Sequence, residues 1–140
     1  MEFKRFGDTY MVRIDRGEEI METLATLCRD EKIHLAQVDA IGAADQALIG
    51  VYNLQAQAYH EEELSGFMEI TNLSGSITFV DEKPYIHLHA ALAGGDHTVH
   101  GGHVLRMRVG ATCEMFVRTL DGNVSREKDP GLGINLWKFS

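Results

Sequence analysis

Apolar and polar residues alternate along most of this 140-residue chain, and that period of two predicts strands. Phe3 to Gly7 and Thr9 to Ile14 read as two short strands joined at Gly7-Asp8, a dipeptide suited to a hairpin. The period changes once. Within Glu18 to Lys32, residues Ile20, Leu24, Leu27 and Cys28 recur at helical spacing and form one apolar stripe. Glu18 and Glu19 in the first turn, with Arg29 and Lys32 in the last, suit the helix dipole. The strand pattern then resumes over Leu35 to Gly42, with burial expected at Val38, Ala40 and Ile41. A turn or bulge of small residues is expected at Ala43 to Asp45, then a strand over Gln46 to Tyr52 and a short one over Gln55 to Glu61. The acidic run Glu61-Glu62-Glu63 reads as a solvated loop. Phe67 to Val80 carries strand character, with bends expected at Asn72 and Gly75. Asp81 to Lys83 reads as a turn before the strand that begins at Pro84.

Further strands are predicted over Val104 to Val109 and Ala111 to Leu120. In the first, Arg106 and Arg108 would share one face and Leu105 and Met107 the other. Asp121-Gly122-Asn123 is a tight turn, Asn123 to Lys128 returns toward the sheet, and Ile134 to Phe139 closes it. One helix and about eight strands predict an α+β fold built on a large antiparallel or mixed sheet, in a single domain over 1–140.

Composition narrows this reading. A hydrophobic fraction of 44% is ordinary for a globular protein. No apolar run is long enough for a membrane span, and the N-terminus lacks a signal-peptide core, so a cytoplasmic location without a membrane partner is expected. Cys28 and Cys113 fall on apolar faces and read as buried free thiols. The formal charge is -8, with 21 acidic against 13 basic residues. Gripping nucleic acid needs clustered cations that neutralise phosphates; the basic residues here are scattered, so nucleic acid is not an expected partner of this domain alone.

The chemistry concentrates in Pro84 to His103, PYIHLHAALAGGDHTVHGGH, which holds five of the seven histidines. On a strand, Tyr85, His87, His89 and Ala91 share one face; Ile86, Leu88, Ala90 and Leu92 share the other, which is wholly apolar. His87 and His89 therefore stand roughly 7 Å apart along one face. They can converge on one ion if a third ligand comes from a neighbouring strand. His103, behind Gly101-Gly102, is the candidate third ligand. Three protein ligands with one position left open is the pattern of a catalytic-type zinc site, although imidazole also suits other divalent transition metals. His97 and His100 read as loop residues first and as alternative ligands second.

From Leu64 to His103 the motifs resemble those of the PPC (plant and prokaryote conserved) domain family. The resemblance rests on LSGFMEITNLSGSI, then PYIHLHAAL, then GGHV. Phe67 stands where the family has arginine in its Gly-Arg-Phe-Glu-Ile-Leu segment. Leu73-Ser74-Gly75, and outlying GEEI, AIGA and TCEM, extend the likeness over nearly the whole chain. The resemblance implies a sandwich-like subunit that assembles as a homotrimer, and a metal, zinc first, held by His87, His89 and His103. It is also similar in fold to acetolactate decarboxylase, a zinc lyase. On that analogy Glu69 or Glu114, each in a strand-like motif, is a candidate proton carrier or added ligand; the alternative for each is a salt bridge at a subunit contact.

Three readings follow. The first is a metal-binding homotrimer that takes up a small anionic or carbonyl-bearing ligand, with catalysis left open. The second is a regulatory or interaction module like the DNA-associated plant relatives, whose AT-hook segments this chain lacks. The third is a zinc that only stiffens the subunit.

Overall fold

Most of the predicted alternation becomes strand. The computed structural model describes residues 1–139. Its elements are β1 (Glu2–Phe6), β2 (Thr9–Asp15), α1 (Ile20–Asp30), β3 (Ala36–Asn53), β4 (Ala58–Val80), β5 (Lys83–Ala93), β6 (Val99–Thr119), β7 (Ser125–Lys128) and β8 (Asn135–Lys138). The fold is α+β and mostly antiparallel, with one short helix on a large sheet. The predicted hairpin at Gly7-Asp8 joins β1 to β2. The helix buries the predicted residues Ile20, Leu24, Leu27 and Cys28. Glu19 caps it, one carboxylate oxygen accepting from the Glu22 N–H at 2.7 Å and the other from the Met107 N–H at 2.8 Å. One side chain thus satisfies an orphan helix donor and ties the helix to β6.

The main sheet runs β1-β2-β6-β3-β4-β5, and β5 also pairs with β6. Strands β3, β4, β5 and β6 therefore form a closed circuit. The closing ladder is short, running from His89 opposite His103 to Ala93 opposite Val99. Buried side chains from β2, β3, β4, β5, β6 and α1 make one core. No helix is long and apolar enough to cross a membrane among the described residues.

Several boundaries differ from the sequence reading, for one common reason: irregularities expected to end strands are absorbed as bulges. The two strands expected over 35–52 are one, β3, whose register slips between Ala40 and Gly42 and again between Ala44 and Gln46. The two expected over 104–120 are likewise one, β6, which starts at Val99 and so includes His100. A register shift opposite Leu48/Ile49 falls at Leu105, so Val104 and Met107 are both buried and strict alternation fails there. Ile41, expected inside, is exposed. The acidic run 61–63 is not a loop; it lies on β4 opposite Gly50, Ile49 and Leu48, with side chains in solvent. The turn instead falls before it, over 54–57, where Asn53 Oδ1 accepts from the N–H groups of Gln55 and Ala56. Finally, β7 and β8 do not join the main sheet. They pair with each other as a separate ribbon.

Candidate metal centre

The histidine strand is placed by close backbone packing. Gly75 on β4 lies opposite Leu88 on β5, and a Cβ there would sit 1.9 Å from the His87 carbonyl oxygen. Only glycine lets β5 approach so closely. With Leu88, Ala90 and Leu92 driven into the core, alternation turns Tyr85, His87 and His89 to the opposite face. His103 arrives from β6 at the corner where the circuit closes, paired with His89 on one side and Gly50 on the other. Gly102 makes that corner possible, since a Cβ there would come within 2.7 Å of the Gly50 carbonyl oxygen.

The three imidazoles form a near-equilateral triangle, with ring centroids 5.2 Å apart for His87–His89, 5.0 Å for His87–His103 and 5.6 Å for His89–His103. One ring nitrogen from each lies within 4.8 Å of the other two. His103 Nδ1 is buried and has no hydrogen-bond partner, and such an orphaned acceptor or donor is costly unless something else meets it. The Tyr59 ring stacks on His103 at 4.8 Å and 20°, fixing its plane. Burial, reinforced by His103, Arg126 and His89, pushes His87 down to about 4. Burial and His89 also lower His103. Both rings are therefore neutral at physiological pH, the form that ligates metals. Donor type, convergence and the unmatched Nδ1 fit a divalent transition ion.

The triangle opens into a cavity of about 640 Å³. Its far wall comes from the C-terminal segment: Arg126 of β7 and the stretch Gly133 to Asn135. Two hydrogen bonds clamp that segment to the β3–β4 hairpin: Tyr52 Oη donates to the Leu132 carbonyl at 2.8 Å, and Gln57 Nε2 to the Gly131 carbonyl at 3.0 Å. Among the described residues lining the cavity, none is acidic and only Arg126 carries a full charge.

Glu69 and Glu114 do not join this site. Glu69 is exposed on β4 opposite Ala43 and Ala93. Glu114 is exposed on β6 between Arg13 and Ile41 and lines a different hollow, beside Met11 and Phe116. The analogy that made them proton carriers therefore fails within one chain, because both lie too far along the strands: Glu69 is opposite Ala93, four residues beyond His89 on β5, and Glu114 is eleven residues beyond His103 on β6. His97 sits in the 94–98 loop. His100 is exposed, its Nδ1 3.5 Å from a Glu62 carboxylate oxygen. Neither is a ligand here. Arg126, Tyr59 and Tyr85 were missed by sequence reasoning. Ser-Arg-Glu-Lys on a short strand reads as a solvated edge, and no local spacing signals that its arginine turns inward.

A model of the Plants and Prokaryotes Conserved (PCC) domain matches residues 1–121. Among solved structures, a suspected DNA-binding protein from Bacteroides thetaiotaomicron superposes with a TM-score of 0.95 at 30% identity, covering 99% of this chain and 96% of that one. A metal-containing protein from Archaeoglobus fulgidus gives 0.89 at 35% identity, covering 99% and 97%. A plant- and prokaryote-conserved protein from Pyrococcus horikoshii gives 0.89 at 28% identity, covering 99% and 94%. No curated protein matches the chain.

Proposed function

The chain belongs to the Plants and Prokaryotes Conserved domain family, and from that premise we propose that it is a homotrimeric metal-binding protein whose three-histidine centre takes up a small carbonyl- or carboxylate-bearing ligand. The observation that carries this reading is the convergence of His87, His89 and His103 within 4.8 Å at the mouth of a cavity. The Archaeoglobus neighbour, described as metal-containing, supports it. Zinc is the first expectation for three imidazole donors, with other divalent transition ions behind it. Such an ion, held by neutral ligands, would keep its double charge and would polarise a carbonyl or carboxylate oxygen.

The chain's own residues supply the rest. His87, His89 and His103 would hold the ion, and Tyr59 keeps His103 in plane. Burial, with Tyr85 and Tyr52 nearby, pushes the Tyr59 hydroxyl up, so it remains a protonated donor. Self-association is supported by the outer face of β2 and β6. Met11 and Phe116 are register partners there and each is 48% exposed, while Ile41 lies opposite the neighbouring Glu114. Exposed apolar surface of this kind calls for a partner.

Elemental analysis of protein purified without chelators tests the centre. One divalent transition ion per chain is expected, and none in the His87→Ala/His89→Ala double variant. A full complement in that variant would refute the assignment. A DNA-associated role is the second reading, favoured by the description of the Bacteroides neighbour and opposed by the net charge of -8. Binding to duplex DNA is expected no tighter than about 10⁻⁶ M at physiological salt; a tighter, sequence-dependent shift would promote that reading.

A further inference from the structure

Arg126 is the one strongly polar group of the cavity that the metal centre does not use, and its arrangement is unusual. It comes from β7, outside the stretch matched by the family model. Its Nε donates to Thr78 Oγ1 at 2.9 Å, and Thr78 is itself fully buried. Its Nη1 donates to the Asn135 carbonyl at 3.0 Å. The guanidinium carbon lies 4.3 Å from the centre of the Tyr85 ring. Two hydrogen bonds and the Tyr85 ring, with the Trp137 ring 6.0 Å away, lock the fork in place; none of these partners is a carboxylate, and Nη2 is buried with no hydrogen-bond partner among the described residues. A half-buried guanidinium without an anion, one of its nitrogens shut off from water, is left with uncompensated charge and an unmet hydrogen-bond donor. An arginine that served only to brace the ribbon would gain more from an acidic neighbour or from solvent.

We propose that Arg126 is the anion-binding arm of the site: it takes the carboxylate of a short oxyacid whose second oxygen donor, a keto, hydroxyl or second carboxylate group, faces the histidine triangle. The proposal rests on the metal-centre reading and gives it a substrate class. Tyr85, under the guanidinium, and His87 are two residues apart on one strand face, which separates their backbones by roughly 7 Å. A molecule of two to four carbons covers such a span; a nucleotide or peptide is not required. Charge selects in the same direction. Among the described residues the only formal charge lining the cavity is positive, in a chain whose net charge is -8, and a bound divalent ion would add to it. Arginine's planar fork is suited to carboxylate recognition.

The test uses the full-length protein loaded with zinc, with malonate as the anionic probe and malonamide as its neutral counterpart, each titrated by calorimetry. Malonate is expected to bind the parent and to bind Arg126→Met about ten- to a hundredfold more weakly, the cost of one charged hydrogen-bonding group. Malonamide affinity and zinc content are expected to be the same in both. Thr78→Val, which frees Nε but leaves the charge, should lose less than Arg126→Met. Equal malonate affinity in parent and Arg126→Met, with zinc content unchanged, would overturn the proposal and leave the metal centre standing. If Arg126→Met loses its zinc or its fold, Arg126→Lys decides: retained malonate binding with weakened discrimination over malonamide supports the arm, and unchanged discrimination removes it. If the parent itself holds no zinc, the metal-centre reading falls. The arm then stands only if malonate still titrates into the metal-free parent and not into Arg126→Met.

Discussion

The two halves of β6 make an instructive pair. Near its start, His103 faces a cavity walled by the C-terminal ribbon. Near its end, Glu114 and Phe116 face outward beside Met11 and Arg13. Both halves carry a polar, chemically able residue next to buried neighbours, and both looked like site candidates by residue type. What separates them is cover. The first half meets β5 at the corner of the closed circuit, and His103 there lines the cavity walled by Arg126 and Gly133 to Asn135, so its Nδ1 loses water and must find another partner. The second half lies on the face of β2, β6 and β3 that is open within one chain, where Glu114 is exposed. Residue chemistry nominates a site; desolvation and convergence decide it.

The contrast can be broken most severely at Gly75. Gly75→Ala forces a Cβ against the His87 carbonyl oxygen, so β5 must withdraw from β4. A loss of about 3 kcal/mol is expected from a backbone clash inside a packed sheet, together with loss of stoichiometric metal. Denaturant midpoints and elemental analysis check both. Native stability with full metal would show that the strand spacing is softer than it looks.

Next in size is the outer half. Replacing Met11 and Phe116 together by Ser should convert a species of three times the 15.6 kDa chain mass into a monomer by light scattering, with metal content per chain kept. A parent that is already monomeric, or a variant still trimeric, would remove this face from the assembly. Loss of metal alongside the trimer would mean the two halves are not independent.

The smallest effect is a pH dependence confined to the cavity half. His87 sits at about 4 in the fold against its usual 6.5. The unfolded chain therefore takes up a proton in that window which the metal-free folded chain refuses. This group's contribution to stability is full above pH 6.5 and is lost as pH falls toward about 4. Denaturation of the metal-free protein at steps across that window should show the decline, and His87→Gln should flatten it. An identical decline in the variant would assign the effect elsewhere. On the metal side, fewer than three protons should be released on zinc binding at pH 5.5, because burial keeps His87 and His103 from taking theirs.

By itself, the sequence determined what short-range chemistry controls. The period of two along PYIHLHAAL put His87 and His89 on one face and Leu88, Ala90 and Leu92 in the core. Helical spacing from Ile20 to Cys28 named the buried stripe. The ordered motifs pointed to the family, and His103 behind two glycines was legible as a third donor from a neighbouring strand. Tertiary structure decided what depends on contacts between distant residues. Bulges carried β3 and β6 through residues that read as strand ends, which no local propensity reveals because the ladder resumes on the far side. Register placed Glu69 and Glu114 several residues along their strands from the histidine triangle, outside the cavity. Arg126 looked like any charged residue on an edge until β7 and β8 folded as their own ribbon and Thr78, 48 positions away, supplied its acceptor. Desolvation is a property of the assembled surroundings, so Arg126, whose guanidinium burial disfavours, was a group the sequence could not single out.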